Sequence, residues 1–502
     1  MPADFPVRFQ PDRLLPMKPI RTRLAMGTMS EKPIHTLPER FVSAAIDSSL
    51  IIGGYWWEGG TGTRHGLGTE RADPLDLSDR RLIECSRHLG LGYLRIGGTE
   101  ADRFYYRIRK KDKKQLSRGY GYDLSRRRWD EIINFTGEID ASLCMTLNAG
   151  PGARKKDSTW RRKNARRLVH YSRKHHKQEA VWELGNEVNA YIFFHGLGSY
   201  ISSRQYAADI SRLSKVLTKE KTGRLAGPAA IVWPVLGETL PFIRSFLRHL
   251  EAPLDILTWH YYPQQSSRCP AAVRRARPET LLNPRRLDDL GRQARRIRGL
   301  VEKHSPGTEL WLGETGHALC GGEPGISDCF VSSLWWMDAL GQLARSGHHQ
   351  VVRQALIGGD YGLLRSDGGP PNPDYWATLL WNRYMGRRVY PLESYGSKKI
   401  RVYLHSAPGR AENRTLLLIN LDPRREAEVE LTDSLPPARS RAVVTGTADW
   451  AGPDILSRTV YLNERLLKFS KQTRLPDLSL EKINPARSLR LPPGSYCFFV
   501  LG

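Results

Sequence analysis

Between residues 41 and 357 the chain repeats one alternation. A short apolar run gives way to a turn, and a longer segment follows in which apolar positions recur every three to four residues. The apolar runs fall at 41–47, 92–96, 142–148, 181–187, 224–227, 255–260, 309–314 and 351–357. The periodic segments follow at 77–89, 126–139, 163–175, 205–217, 239–250, 287–304, 327–344 and 374–385. Short continuous apolar runs read as strands covered on both faces, and the longer segments as amphipathic helices. Eight strand-then-helix units predict an α/β fold, a closed (β/α)8 barrel with insertions over residues 34–385.

Past residue 386 the helical period disappears. Runs rich in β-branched and aromatic residues recur at 400–404, 415–419, 429–431, 442–444, 460–462 and 496–500. Separated by turn residues, they predict a β-sandwich over 386–502, packed on the barrel. Residues 1–33 carry Pro, Arg and Met but no apolar core of a signal peptide, and read as a mobile leader.

The fourth run is Val181-Trp182-Glu183-Leu184-Gly185-Asn186-Glu187, and the seventh ends in Gly313-Glu314-Thr315. In a barrel of this kind the chemistry lies where strands end, so the two glutamates share one rim. Side-chain alternation places Glu183, Gly185 and Glu187 on one face. Taken singly, either glutamate reads as a solvated or helix-capping residue. As a pair they suit glycosidic cleavage, in which one carboxyl group protonates the leaving oxygen and the other attacks the sugar carbon. A separation of about 5 Å would predict retention of configuration.

Composition adds a partner. Lys+Arg number 77 against 52 Asp+Glu, a net charge of +25, which favours a polyanion. No nucleic-acid motif accompanies that charge, and no run approaches the roughly 20 apolar residues of a membrane span. Charge alone leaves nucleic acid, an acidic membrane surface and a sulfated polysaccharide open as that polyanion. The glycines of 60–66 are one residue too long for a dinucleotide fingerprint and lack its βαβ setting. Basic runs at 107–114, 126–128, 154–156, 161–167 and 274–277 include several on rim loops. Arg274 and Arg275 are thus candidate contacts for sulfate, whereas Arg292, Arg295, Arg296 and Arg298 read as the solvated face of a helix. Six cysteines without a CxxC pair argue against a zinc site, and nothing points to a metal or a cofactor. Cys320 and Cys329 are near enough in sequence to form a disulfide, with buried free thiols as the alternative.

With these residues in place, the chain resembles the heparanases, in the large clan of retaining barrel glycosidases. The likeness runs through Trp182-Glu183-Leu184-Gly185-Asn186-Glu187, Thr258-Trp259-His260-Tyr261-Tyr262, Trp311-Leu312-Gly313-Glu314-Thr315, Cys320-Gly321-Gly322, Arg353-Gln354 and Asp374-Tyr375-Trp376. It extends into the second domain along 396–405 and covers about 41–502. Val188 departs from it, since the family usually has Pro there, and Ser49 stands where the vertebrate enzymes have Asn.

The resemblance implies Glu187 as acid/base and Glu314 as nucleophile, with Asn186 on the sugar 2-hydroxyl. It further implies Gly321, Gly322 and Tyr361 as donors to a glucuronate carboxylate, Asp47 and Thr99 at hydroxyls, and His260 and Tyr262 in a cluster on the sixth strand. The implied activity is that of a secreted or extracellular retaining endo-β-D-glucuronidase acting on heparan sulfate, and the implied partner is that polymer or a related sulfated glycosaminoglycan, with no nucleic acid and no membrane. An exo-β-glucuronidase and a non-catalytic polyanion binder are the alternatives. Vertebrate members are activated by excision of a linker after the second strand. Here 102–140 leaves little to remove, so an active single chain is expected.

Overall fold

The computed structural model describes residues 18–26, 32–57, 68, 70–110, 112, 119–176, 179–232, 240–270, 272–448, 454–470 and 473–502. The glycine-rich stretch 60–66 and most of 111–118 lie outside the described residues. Eight parallel strands close into a barrel: β1 (Val42–Asp47), β2 (Tyr93–Gly97), β3 (Ser142–Leu147), β4 (Ala180–Leu184), β5 (Arg224–Val232), β6 (Ile256–Tyr261), β7 (Glu309–Thr315) and β8 (Gln350–Gln354). Closure is made by β8 on β1, with Val351 opposite Val42 and Gln354 opposite Ala45. The outer layer is α1 (Arg80–His88), α2 (Arg126–Glu138), α3 (Lys163–His175), α4 (Ser203–Glu220), α5 (Leu240–Arg248), α6 (Pro284–His304), α7 (Phe330–Arg345) and α8 (Pro373–Tyr384).

The barrel interior is layered. At the bottom Cys144, Val181, Ala226, Ile256 and Trp311 form a small apolar cluster. One residue pair higher, the same inward positions become Arg95, Thr146, Glu183 and Thr258, all buried. The active ends of such barrels lie at the C-terminal face, and this charged layer sits beneath it.

A β-sandwich follows the barrel, as expected. Leu416 and Leu418 join the core between its two sheets, while the alternating Leu417 and Ile419 join the barrel's core. The larger sheet is thus buried on both faces. Tyr496 stacks on Phe330 with ring centroids 5.8 Å apart, and Phe498 meets Tyr384 at 5.0 Å. Arg401 Nε and Tyr403 OH each donate to Asp338 on α7 at 2.6 Å. This double covering explains why α7 is apolar nearly all round.

The leader expectation is corrected for residues 18–26. Ile20–Ala25 is a strand, lying antiparallel to Glu393–Gly396 and parallel to Ala427–Leu431 in the four-stranded sheet. Ile20, Thr22 and Leu24 point inward and Arg21 and Arg23 outward, a period of two that the arginines disguise. His35–Thr36 pairs with Arg388–Tyr390, so the sandwich draws on both ends of the chain. Among the described residues no helix is long and apolar enough to cross a membrane.

Candidate active site at the barrel rim

The site is built on Arg95, a fully buried guanidinium inside the barrel. Its Nε and Nη2 donate to Glu183 Oε2 at 2.9 and 2.8 Å, and Nη1 donates to Glu314 Oε2 at 2.7 Å. Nη2 also reaches Asn186 Oδ1 at 2.9 Å, and Thr146 Oγ1 donates to Glu183 Oε2 at 2.8 Å. One cation therefore ties β2, β4 and β7 together beneath the rim. Removing one partner of a buried charge set leaves the others uncompensated, which costs about 3–5 kcal/mol. Arg95→Met is expected to lower unfolding stability by about that amount, with Glu183→Met/Arg95→Met less destabilised than the single variant. Denaturant titration of the three proteins checks this. Equal stability of wild type and Arg95→Met would show that the network carries no such load.

Glu187 and Glu314 converge above Arg95. An oxygen of each and a ring nitrogen of His260 all lie within 4.8 Å of one another. Backbone irregularities bring both carboxylates inward. On β7 the register shifts so that His260 stands opposite Glu314 and not Gly313, which turns the glutamate into the barrel. On the other side β4 stops at Leu184, so strand alternation does not place Glu187. It follows a left-handed turn, with φ 74° at Gly185 and φ 52° at Glu187. A Cβ on Gly185 would come within 2.7 Å of Tyr191 and of Val188, so the turn requires glycine. Glu187 N donates to Ala229 O at 2.9 Å, an oxygen presented where β5 is itself irregular between Pro228 and Ala230.

The two carboxyl groups differ in environment. Glu314 accepts from Tyr262 OH at 2.6 Å as well as from Arg95, two hydrogen bonds that fix its orientation. Among the described residues no guanidinium pairs with Glu187. Burial first, then the charge of Glu314, push its pKa well above the carboxylate range, with Arg95 opposing. His260 Nδ1 lies 3.0 Å from Glu187 Oε1, and burial with the nearby Arg95 holds the imidazole neutral. It orients Glu187 without discharging it. Three ligand-type side chains this close could in principle take a cation, but the Arg95 guanidinium on Glu314 opposes one electrostatically.

Most of the other expected site residues gather here. Asp47 ends β1, caps the short helix Ser48–Ile52 and accepts from Gln354 Nε2 at 3.3 Å. Burial pushes its carboxyl up to about 7, aided by Glu314. Thr99 opens the turn Thr99–Arg103 beside it. Tyr361 is buried against Gly316, across which it faces Tyr262. Gly321 and Gly322 have φ of 84° and 87°, and a Cβ on Gly321 would come 2.2 Å from Trp57. That turn is braced from below, since Arg268 Nη1 donates to Gly322 O at 3.1 Å and Asp360 N to Gly321 O at 2.8 Å.

A disulfide also holds it, but not the expected one. Cys320 pairs with Cys269 across 5.6 Å between Cα atoms, while Cys329 is a buried free thiol at the start of α7. The short parallel pairing of Gln264–Gln265 with Ala318–Leu319 brings the loops after β6 and β7 side by side, overriding closeness in sequence.

Arg274 and Arg275 do not join the centre. Arg274 Nη1 is paired with Asp289 of α6 at 3.0 Å, outside the barrel wall, and Arg275 is exposed on the same strip. The 126–128 run is likewise absorbed: it opens α2, where Arg127 and Arg128 pair with Glu131 and Arg128 also caps Ile51 O and Leu75 O. Sequence reasoning missed Arg95, Glu183 and Asp102. Asp102 Oδ1 accepts from Ala149 N and Oδ2 from Asn186 N, both at 2.9 Å. The available signal was a charge embedded in an apolar strand run, as in Leu94-Arg95-Ile96 and Trp182-Glu183-Leu184.

Comparison with known proteins bears on the family and the fold. Residues 31–341 match the domain family described as Glycosyl hydrolase family 79, N-terminal domain. Heparanase of Bos taurus is 30% identical over 527 aligned positions, covering 94% of this chain and 90% of that protein. Baicalin-beta-D-glucuronidase of Scutellaria baicalensis is 28% identical over 506 positions, covering 94% and 90%. The structure of a 4-O-alpha-L-rhamnosyl-beta-D-glucuronidase from Fusarium oxysporum 12S aligns with a TM-score of 0.65 at 15% identity, over 96% of this chain and 100% of that one, a likeness of fold.

Proposed function

Since the chain belongs to glycosyl hydrolase family 79 and is a glycoside hydrolase, we propose that it is a retaining endo-β-D-glucuronidase acting on heparan sulfate or a related sulfated glycosaminoglycan. The observation that carries this reading is the Glu187–Glu314 pair, one oxygen of each within 4.8 Å. A spacing of that order lies nearer the separation used by retaining glycosidases than the wider one used by inverting enzymes, and suits double displacement.

In the first step a Glu314 oxygen attacks the anomeric carbon, and the bond from that carbon to the leaving oxygen breaks as Glu187 gives that oxygen its proton. In the second, Glu187 as carboxylate takes a proton from water, which displaces Glu314 and restores both groups. Esterification removes the Glu314 charge that raises the pKa of Glu187, so the same residue is an acid before and a base after. Asn186 gives its carbonyl to Arg95, which frees its amide NH₂ for the sugar 2-hydroxyl. Gly321, Gly322 and Tyr361 supply donors for the glucuronate carboxylate, with Asp47 and Thr99 at hydroxyls. His260 and Tyr262 position the two glutamates. Such a substrate implies a secreted or extracellular place of action.

A second reading, exo-β-glucuronidase, is favoured by the 28% identity to Baicalin-beta-D-glucuronidase. Digestion of heparan sulfate with sizing of products separates the two. Fragments of intermediate length are expected; glucuronic acid released from an otherwise full-length polymer would establish exo action instead.

A further inference from the structure

Beyond the catalytic centre, a groove of about 680 Å³ runs between the loop after β3 and the outer face of α4. Its walls carry Lys155, Arg161, Arg162, Lys163, Arg212 and Lys215, against a single carboxylate, Glu251. Among the described residues Arg212 has one distant partner, Asp209 at 3.9 Å. The other five cations form no ion pair among the described residues. Six converging cations repel one another, and a polyanion relieves that repulsion.

The groove is a rigid platform. Lys155 N bonds to Thr159 O at 2.9 Å and Arg161 N to Ala153 O at 2.7 Å, so the loop is a tight hairpin. Buried Asp209 anchors it to α4, accepting from Arg154 Nη1 at 2.6 Å and Trp160 N at 3.3 Å. Arg154 is thereby spent on structure, which leaves Lys155 and Arg161 to Lys163 exposed. The same loop is tied to the centre, because Asp102 holds Ala149 N at its start and Asn186 N beside the acid/base. The groove therefore starts from a loop that belongs to the catalytic rim.

We propose that this groove is a second binding surface for the sulfated, carboxylated polysaccharide, holding the chain that continues beyond the cleaved bond. The inference rests on the glucuronidase reading of the rim. A polysaccharide fits better than a nucleic acid because the one lining aromatic, Trp160, is buried and donates its Nε1–H to Asn148 O, so no ring is offered for bases to stack on.

The test is the fourfold variant Lys155→Ala, Arg161→Ala, Arg162→Ala, Lys215→Ala, all at exposed positions. Its affinity for heparan sulfate fragments is measured across salt concentrations, and its kcat/KM on 4-nitrophenyl β-D-glucuronide alongside. The variant is expected to bind fragments on the order of tenfold more weakly at low salt, with the slope of log affinity against log salt reduced by roughly 2–3. Turnover of the small glucuronide is expected to match wild type. An unchanged slope and affinity would overturn the groove. If wild type binds single-stranded DNA of matched charge as tightly as heparan sulfate, the assignment to polysaccharide falls. If wild type leaves heparan sulfate undegraded, the proposed reaction falls, while the binding measurement still reads the groove.

Discussion

Glu314→Gln is expected to lower kcat on 4-nitrophenyl β-D-glucuronide by roughly 10⁴- to 10⁶-fold, the range seen when a covalent nucleophile is removed. The amide is nearly isosteric and can still accept from Tyr262, but it cannot form the glycosyl ester. The fold should survive, because Arg95 keeps its bonds to Glu183 at 2.8 and 2.9 Å when the charge at 314 is lost. Affinity for heparan sulfate should therefore stay close to wild type, which separates this variant from one that has merely unfolded. Turnover near the wild-type rate would remove Glu314 as nucleophile and with it the retaining mechanism.

That pair was legible in the sequence, but for a partly different reason than the one that holds. Eight strand-helix units identified the fourth and seventh strand ends, and all eight strands lie where their apolar runs predict. The inward aim of each carboxylate, however, comes from a register shift on β7 and a left-handed turn after β4. Neither departure has a period that a sequence displays. Glycine at 185 hints at a turn without giving its direction.

The buried layer beneath was hidden for another reason. Arg95, Glu183 and Asp102 act through partners far away in the chain, with Arg95 and Glu183 88 positions apart. Each looks like an isolated charge until the barrel closes. Long-range pairing also decided the disulfide, where Cys269 outcompeted the nearer Cys329 across a separation of 51 residues. Charge runs misled in the opposite direction. A run of arginines has no address until helices are placed: 126–128 turned out to cap and pair within α2, Arg274 to pair with α6, and Lys155 with Arg161 to Lys163 to line an open groove.

Glu187→Ala tests the other half of the pair by making the rate depend on the leaving group. Without a proton donor, natural linkages should lose roughly 10²- to 10⁴-fold in kcat. A 2,4-dinitrophenyl glucuronide needs no protonation, so its first step should proceed at nearly the wild-type rate, after which the Glu314 ester accumulates for want of a base. Azide should then restore turnover and yield the β-azide, with retained configuration. The pH profile separates the groups further. In wild type the protonated acid is lost as pH rises through the raised pKa of Glu187, so kcat/KM for a natural linkage should fall on the basic side. In Glu187→Ala, measured on the dinitrophenyl substrate, that limb should vanish. A basic limb that persists near pH 7 would instead belong to Asp47, whose carboxyl burial pushes up to about 7. Equal loss on good and poor leaving groups, with no rescue by azide, would leave Glu187 a structural residue.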